Sequence, residues 1–174
     1  MRTKIVSCLV LSFLFCFKGF CQLDSIYFHK GEVKVVNVTK IGEQTVTYKY
    51  PNEETENDVS KYALQKVVIG KSGRVENMSD KIVINGEDDW EKVIILDNIA
   101  QTVGLKKVDE VAGKTALINY RTATGSDKKS LEKLKKAAAK KGAAFIIINA
   151  DKNFNLGYGW GSNQSAKKGV CYTY

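Results

Sequence analysis

Residues 127–150, DKKSLEKLKKAAAKKGAAFIIINA, decide the architecture. Residues 127–141 are almost all Lys, Leu, Ala and Glu, good helix formers, with no Gly or Pro among them. At about 100° per residue, Leu131, Leu134 and Ala138 fall on one narrow stripe, and Lys129, Lys133, Lys136 and Lys140 gather opposite. Ser126 or Asp127 can cap the start, and Gly142 supplies the left-handed residue that stops such a helix. AAFIIINA then reads as a fully apolar strand. A helix with one apolar edge next to such a strand must lie on a sheet, with its lysine ridge in water.

Working outward, residues 87–174 supply that sheet. WEKVIIL is a buried-type strand, GLKKVDEV and TALINYR are two extended runs, and VCYTY ends the chain after a Gly/Asn/Ser-rich loop, NFNLGYGWGSNQSAKKG. Residues 22–86 have a different rhythm. EVKVVNV, TVTYKY, ALQKVVI and KIVI are rich in Val, Ile, Thr and Tyr and are separated by turns at Ile41-Gly42-Glu43 and Lys71-Ser72-Gly73. In TVTYKY, Val46, Tyr48 and Tyr50 face one way and Thr45, Thr47 and Lys49 the other. Pro51 ends that strand and opens an acidic loop, NEETEND, too polar to bury. The expected fold is α+β: an N-terminal antiparallel β-meander, then a small sheet covered by one main helix.

Residues 1–21 read as a leader. Arg2 and Lys4 precede the apolar run IVSCLVLSFLFCF, and Gly19 and Cys21 place small residues before a cut at Gln22. The run is shorter than the ~20 residues that span a membrane. Lipidation at Cys21 is the rival, disfavoured by bulky Phe20 before it. The whole chain has 174 residues, 27 Lys+Arg and 19 Asp+Glu, a charge of +8. Cutting after Cys21 removes Arg2, Lys4 and Lys18 and no acid, leaving 153 residues and +5. A domain of that size buries about 70% of its unfolded surface and needs no staples. Cys8, Cys16 and Cys21 leave with the leader, so Cys171 has no intrachain partner, and its apolar setting predicts a buried, inert thiol. These features predict an extracytoplasmic location, with membrane association only through a lipid on Cys21.

Few residues carry chemistry. Ala112–Thr115, AGKT, imitates the end of a phosphate loop, but the required earlier glycine is Val108, so a strand-connecting turn is the plainer reading. Asp151, Asn153 and Asn155 have calcium-loop spacing, but Leu156 and Ser162 stand where Gly and Glu belong, which favours a plain turn. Glu87, Asp88 and Asp89 read as a solvated turn. His29 is the sole histidine, too few for a zinc site, and the acids cluster in turns rather than at strand ends. No catalytic residue, metal ligand or cofactor is assigned. Two binding features remain: the ridge Lys129, Lys133, Lys136 and Lys140, which would attract anionic polymers, and Tyr158 and Trp160 in a glycine-rich loop, whose rings can stack on sugars or partner side chains. Export, and the lack of interleaved aromatic and basic residues, argue against nucleic acid.

VDEVAGK (Val108–Lys114), LEKLKKAAAKKGAAFIIIN (Leu131–Asn149) and the final GVCYTY together resemble the YbjQ-type domains and the RcsF-like module of outer-membrane stress-sensor lipoproteins. The leader and N-terminal meander are similar to those of exported envelope proteins of Gram-negative bacteria. The resemblance implies a small α/β module over residues 87–174 and an envelope location. It does not bring a metal site, because residues 87–174 hold no histidine, or the sensor's disulfides, because only Cys171 is there. The expected function is non-enzymatic binding or sensing of an envelope polymer or protein. Two alternatives stay open: a hydrolase acting on envelope polymers through paired carboxylates, and an assembly module pairing through an exposed strand.

Overall fold

In the computed structural model, which describes residues 22–115, 122–155 and 163–174, the chain forms two sheets and one long helix, a mixed α+β fold. The leader assigned to residues 1–21 lies outside the described residues. The first sheet holds β1 (Asp24–Phe28), β2 (Val33–Ile41), β3 (Thr45–Lys49), β4 (Glu56–Ser60), β5 (Leu64–Ile69) and β6 (Arg74–Asn77), in the order β4-β3-β2-β1-β5-β6. Every pairing in it is antiparallel. The alternation read in TVTYKY is present: Val46 and Tyr48 are buried with Ile26, Phe28, Val36, Val59, Leu64 and Val67.

Four parts of the meander depart from expectation. Strand β1, beside the leader, and strand β6, beyond the Lys71-Ser72-Gly73 turn, are additional strands. Strand β4 runs through the acidic stretch, because an edge strand needs only one apolar flank: Val59 faces inward, while Thr47 donates a 2.6 Å hydrogen bond to Asp58 on the outside. KIVI (81–84) is not a strand. Ile82 and Ile84 instead plug the space between the two sheets.

The second sheet follows. A 3-10 turn (Glu87–Lys92) leads to β7 (Ile94–Leu96), so WEK belongs to the turn and not to the strand. A second 3-10 turn (Ile99–Thr102) precedes β8 (Lys106–Lys114). Then come α1 (Ala123–Lys140), β9 (Phe145–Asn155) and β10 (Asn163–Thr173), with strand order β7-β9-β10-β8. Ala112-Gly113-Lys114 is strand rather than turn, and so are Asp151 and Asn153. Residues 153–155 and 163–169 of the expected long loop are thus strand, in β9 and β10, while residues 156–162 lie outside the described residues, as do residues 116–121 of TALINYR.

The helix starts earlier than expected. Thr122, not Ser126 or Asp127, is its cap, accepting from the Gly125 amide at 3.1 Å. Ser126, Ser130, Leu134 and Ala138 form the buried line, one residue every turn, while Leu131 is only half-buried. Gly113 explains the small, polar start of that line. A Cβ there would stand 2.0 Å from the Ser130 carbonyl oxygen, so β8 and α1 meet backbone to backbone. Gly142, at φ +70°, stops the helix as expected.

The two sheets share a third cluster, in which Leu96, Ala144 and Phe145 pack with Tyr62, Ile82, Leu105, Tyr172 and Tyr174. The Ser60 amide donates to the Val103 carbonyl (2.9 Å), and the Ile82 amide donates to the Tyr174 hydroxyl (2.9 Å).

Candidate binding site

The lysines of α1 do not stand as one free ridge. Lys129 donates to both oxygens of Glu132 at 2.8 and 2.7 Å, and Lys136 reaches the same carboxylate at 2.9 Å. The hydrogen bonds from Lys129 and Lys136 hold the Glu132 carboxyl down at about 2. Lys133 turns sideways and donates to the Lys114 carbonyl of β8 at 2.9 Å. Lys140 is exposed near the helix end, with no ion-pair partner among the described residues. Of these four residues, two thus share one carboxylate in a triad and one fastens the helix to the sheet.

The residue missing from the sequence reading is Trp90. The 3-10 turn Glu87–Lys92 brings its half-buried indole against α1, where it packs on the core that holds Leu134 and Ala138. Asp89 steadies this turn by accepting from the Asn85 amide (2.8 Å) and from Lys92 (2.6 Å). The Lys136 ammonium lies 5.6 Å from the indole centroid. Between the indole and the helix runs a groove of about 500 Å³ lined by Trp90, Gly125, Lys128, Lys129, Leu131, Glu132 and Lys135. Lys129 and Glu132 cancel, whereas Lys128 and Lys135 have no anionic partner among the described residues. The groove therefore combines an apolar wall, Trp90 and Leu131, with two uncompensated cations. A tryptophan between an acidic run and an apolar strand was the available signal; its pairing with the helix flank needed the fold.

A second constellation lies inside. Lys167 of β10 is 5% exposed, with its ammonium 2.7 Å from Asp127 of α1 and also bonded to Asp151 of β9. Burial disfavours its charge, but the hydrogen bonds it donates to Asp127 and Asp151 outweigh that and raise its pKa. Beside them the buried hydroxyls of Ser130 and Ser165 meet at 2.8 Å, and the Ser165 amide donates to Thr115 Oγ1 at 2.9 Å. A lysine held charged offers those serines no base. This cluster ties α1, β8, β9 and β10 together.

His29 Nε2 lies 3.0 Å from Ser79 Oγ, but that hydroxyl has the Lys61 and Leu64 carbonyls within 3.0 Å. The serine proton is therefore directed at carbonyl oxygen, and burial together with Lys81 lowers the imidazole pKa. Cys171 is fully buried, and burial pushes its thiol up to about 11. No three His, Cys, Asp or Glu side chains gather as a metal site among the described residues. Tyr158 and Trp160 lie outside the described residues. No protein-family model, curated protein or solved structure matches this chain.

Proposed function

We propose that this chain is an exported, non-enzymatic envelope protein that binds an anionic polysaccharide in the groove between Trp90 and α1. The observation that carries the reading is the juxtaposition of an indole wall with Lys128 and Lys135, cations that no described acid neutralises. An acidic sugar needs both parts: a ring face for stacking and a charge for attraction. Lys129 and Lys136 order Glu132 and the indole rather than receive ligand, Lys140 is an exposed cation outside the groove, and Tyr158 and Trp160 are kept as a second contact. The kinship with YbjQ-type and RcsF-like modules belongs to the same proposal. The paired-carboxylate alternative is weaker, because Asp127 and Asp151, the acids that do converge, already share Lys167.

Calorimetric titration with alginate oligomers, and with neutral dextran as control, tests the reading. Binding of alginate should weaken as salt rises, and Lys128→Glu with Lys135→Glu should weaken it at least about tenfold. Trp90→Ala should do the same with the fold retained. Equal affinity for dextran, or no loss in the lysine variant, would overturn the proposal.

A further inference from the structure

Strand β8 is an edge. Among the described residues it pairs only with β10, and its other side carries no ladder. Its first five residues, Lys106, Lys107, Val108, Asp109 and Glu110, are all exposed, Val108 at 39%. Read backwards, the same five residues carry the opposite charge at every charged position. When such a segment lies antiparallel to its own copy about Val108, Lys106 faces Glu110, Lys107 faces Asp109 and Val108 faces Val108. The two-fold axis repeats both ion pairs, giving four opposite-charge contacts around an apolar centre. Neighbouring registers lose this match. Centring on Asp109 sets that acid against itself, and centring on Glu110 sets Lys106 against Lys114.

From this we propose that two copies of the chain associate through β8, antiparallel and centred on Val108, extending the C-terminal sheet across a two-fold axis. The existing contacts do not oppose it. Lys107 and Glu110 touch within one chain at 3.6 Å on the surface, a weak pair that can be exchanged for a cross-strand one. Lys141 already binds Asp109 from the end of α1 and stays beside it. Val108 falls where the β8–β10 register shifts, so it has no partner on β10. Such a bulge blunts indiscriminate edge pairing, leaving the charge pattern to select the partner. Of the other edges, β4 presents Glu56 and Asp58, which repel their own copies. Strand β6 offers one complementary pair, Arg74 with Glu76, on a strand of four residues.

The test is sedimentation velocity from about 1 µM to about 1 mM. Wild type should shift from monomer to dimer across that range. Lys106→Glu with Lys107→Glu makes the segment wholly acidic, and Asp109→Lys with Glu110→Lys makes it wholly basic. Each variant alone should self-associate at least about tenfold more weakly. An equimolar mixture of the two should recover the dimer. Val108→Cys checks the register without altering charge, since the two thiols meet on the axis and should form a covalent dimer when an added disulfide oxidant takes up their two electrons and two protons, while Ala112→Cys should not. A monomeric wild type at the highest concentration, unchanged association in both charge variants, or a mixture that stays monomeric would overturn the proposal. A dimer insensitive to β8 but lost on Arg74→Glu would assign the contact to β6 and overturn it equally.

Discussion

Lys167 sits on β10 with its ammonium shared by Asp127 and Asp151, and no hydropathy pattern marks it as internal. Removing it leaves two acids facing one another at a site half-open to water. Breaking a fully buried pair costs about 3–5 kcal/mol, and the exposed carboxylates here reduce that to about 1–3 kcal/mol for Lys167→Ala. Lys167→Met should lose less, because the methionine keeps the packing of the aliphatic stem. The pH dependence has a defined sign. The folded pKa lies above the unfolded 10.5, so the stabilisation is complete below 10.5 and disappears as pH rises through the folded value. Urea unfolding of the wild type and Lys167→Met should therefore converge only at the alkaline end. A constant gap between the two through that range would show that the ion pair is not the source of the difference.

At the scale of elements, Gly113 sets the distance between β8 and α1. Gly113→Ala places a methyl group against helix backbone that cannot step aside, so it should cost at least about 2 kcal/mol, read as a thermal midpoint lower by about 4–8 °C. A neutral substitution would mean that the helix rides higher on the sheet. The same contact explains what the sequence concealed. The core of α1, its stop at Gly142 and the strand after it follow from composition and local stereochemistry. Its first turn does not, because Ala123-Thr124-Gly125-Ser126 has low helix propensity and is held by Thr122 and by close packing. Strand β10 was half hidden for a related reason: its inward positions Ser165 and Lys167 are polar, so periodicity could not report them. KIVI misled in the opposite sense, since apolar side chains can fill a joint without joining a ladder. The lysine stripe was legible as a helix face, and the spacing of Glu132, three residues after Lys129 and four before Lys136, already allowed its triad; only Trp90 joins the helix flank through the fold.

For the whole molecule, the decisive contact is the joint between the sheets. The Phe145 ring packs 5.3 Å from Tyr62 of the first region and 5.4 Å from Tyr174, whose ring also meets His29 at 4.8 Å. Aromatic residues from the N-terminal and C-terminal regions thus converge on one buried side chain. Phe145→Ala should cost about 3–5 kcal/mol and lower the unfolding midpoints of both sheets together. Amide NMR signals from β1–β6 and from β8–β10 would report each sheet separately. If only the second set melted early, the two regions would be independent units.

Strand order has a consequence for how the chain is made. Among the described residues strand β8 (Lys106–Lys114) finds its sheet neighbour only in β10 (Asn163–Thr173), with α1 and β9 produced in between. Whether it leaves a ribosome or a translocation pore, β8 emerges before anything can hold it and waits through the synthesis of a helix and another strand. Distant pairing of this kind is slow, and an orphaned strand is a hazard for clumping. The two lysines and two acids of its first half, Lys106, Lys107, Asp109 and Glu110, keep that ribbon charged and hydrated until its partner arrives.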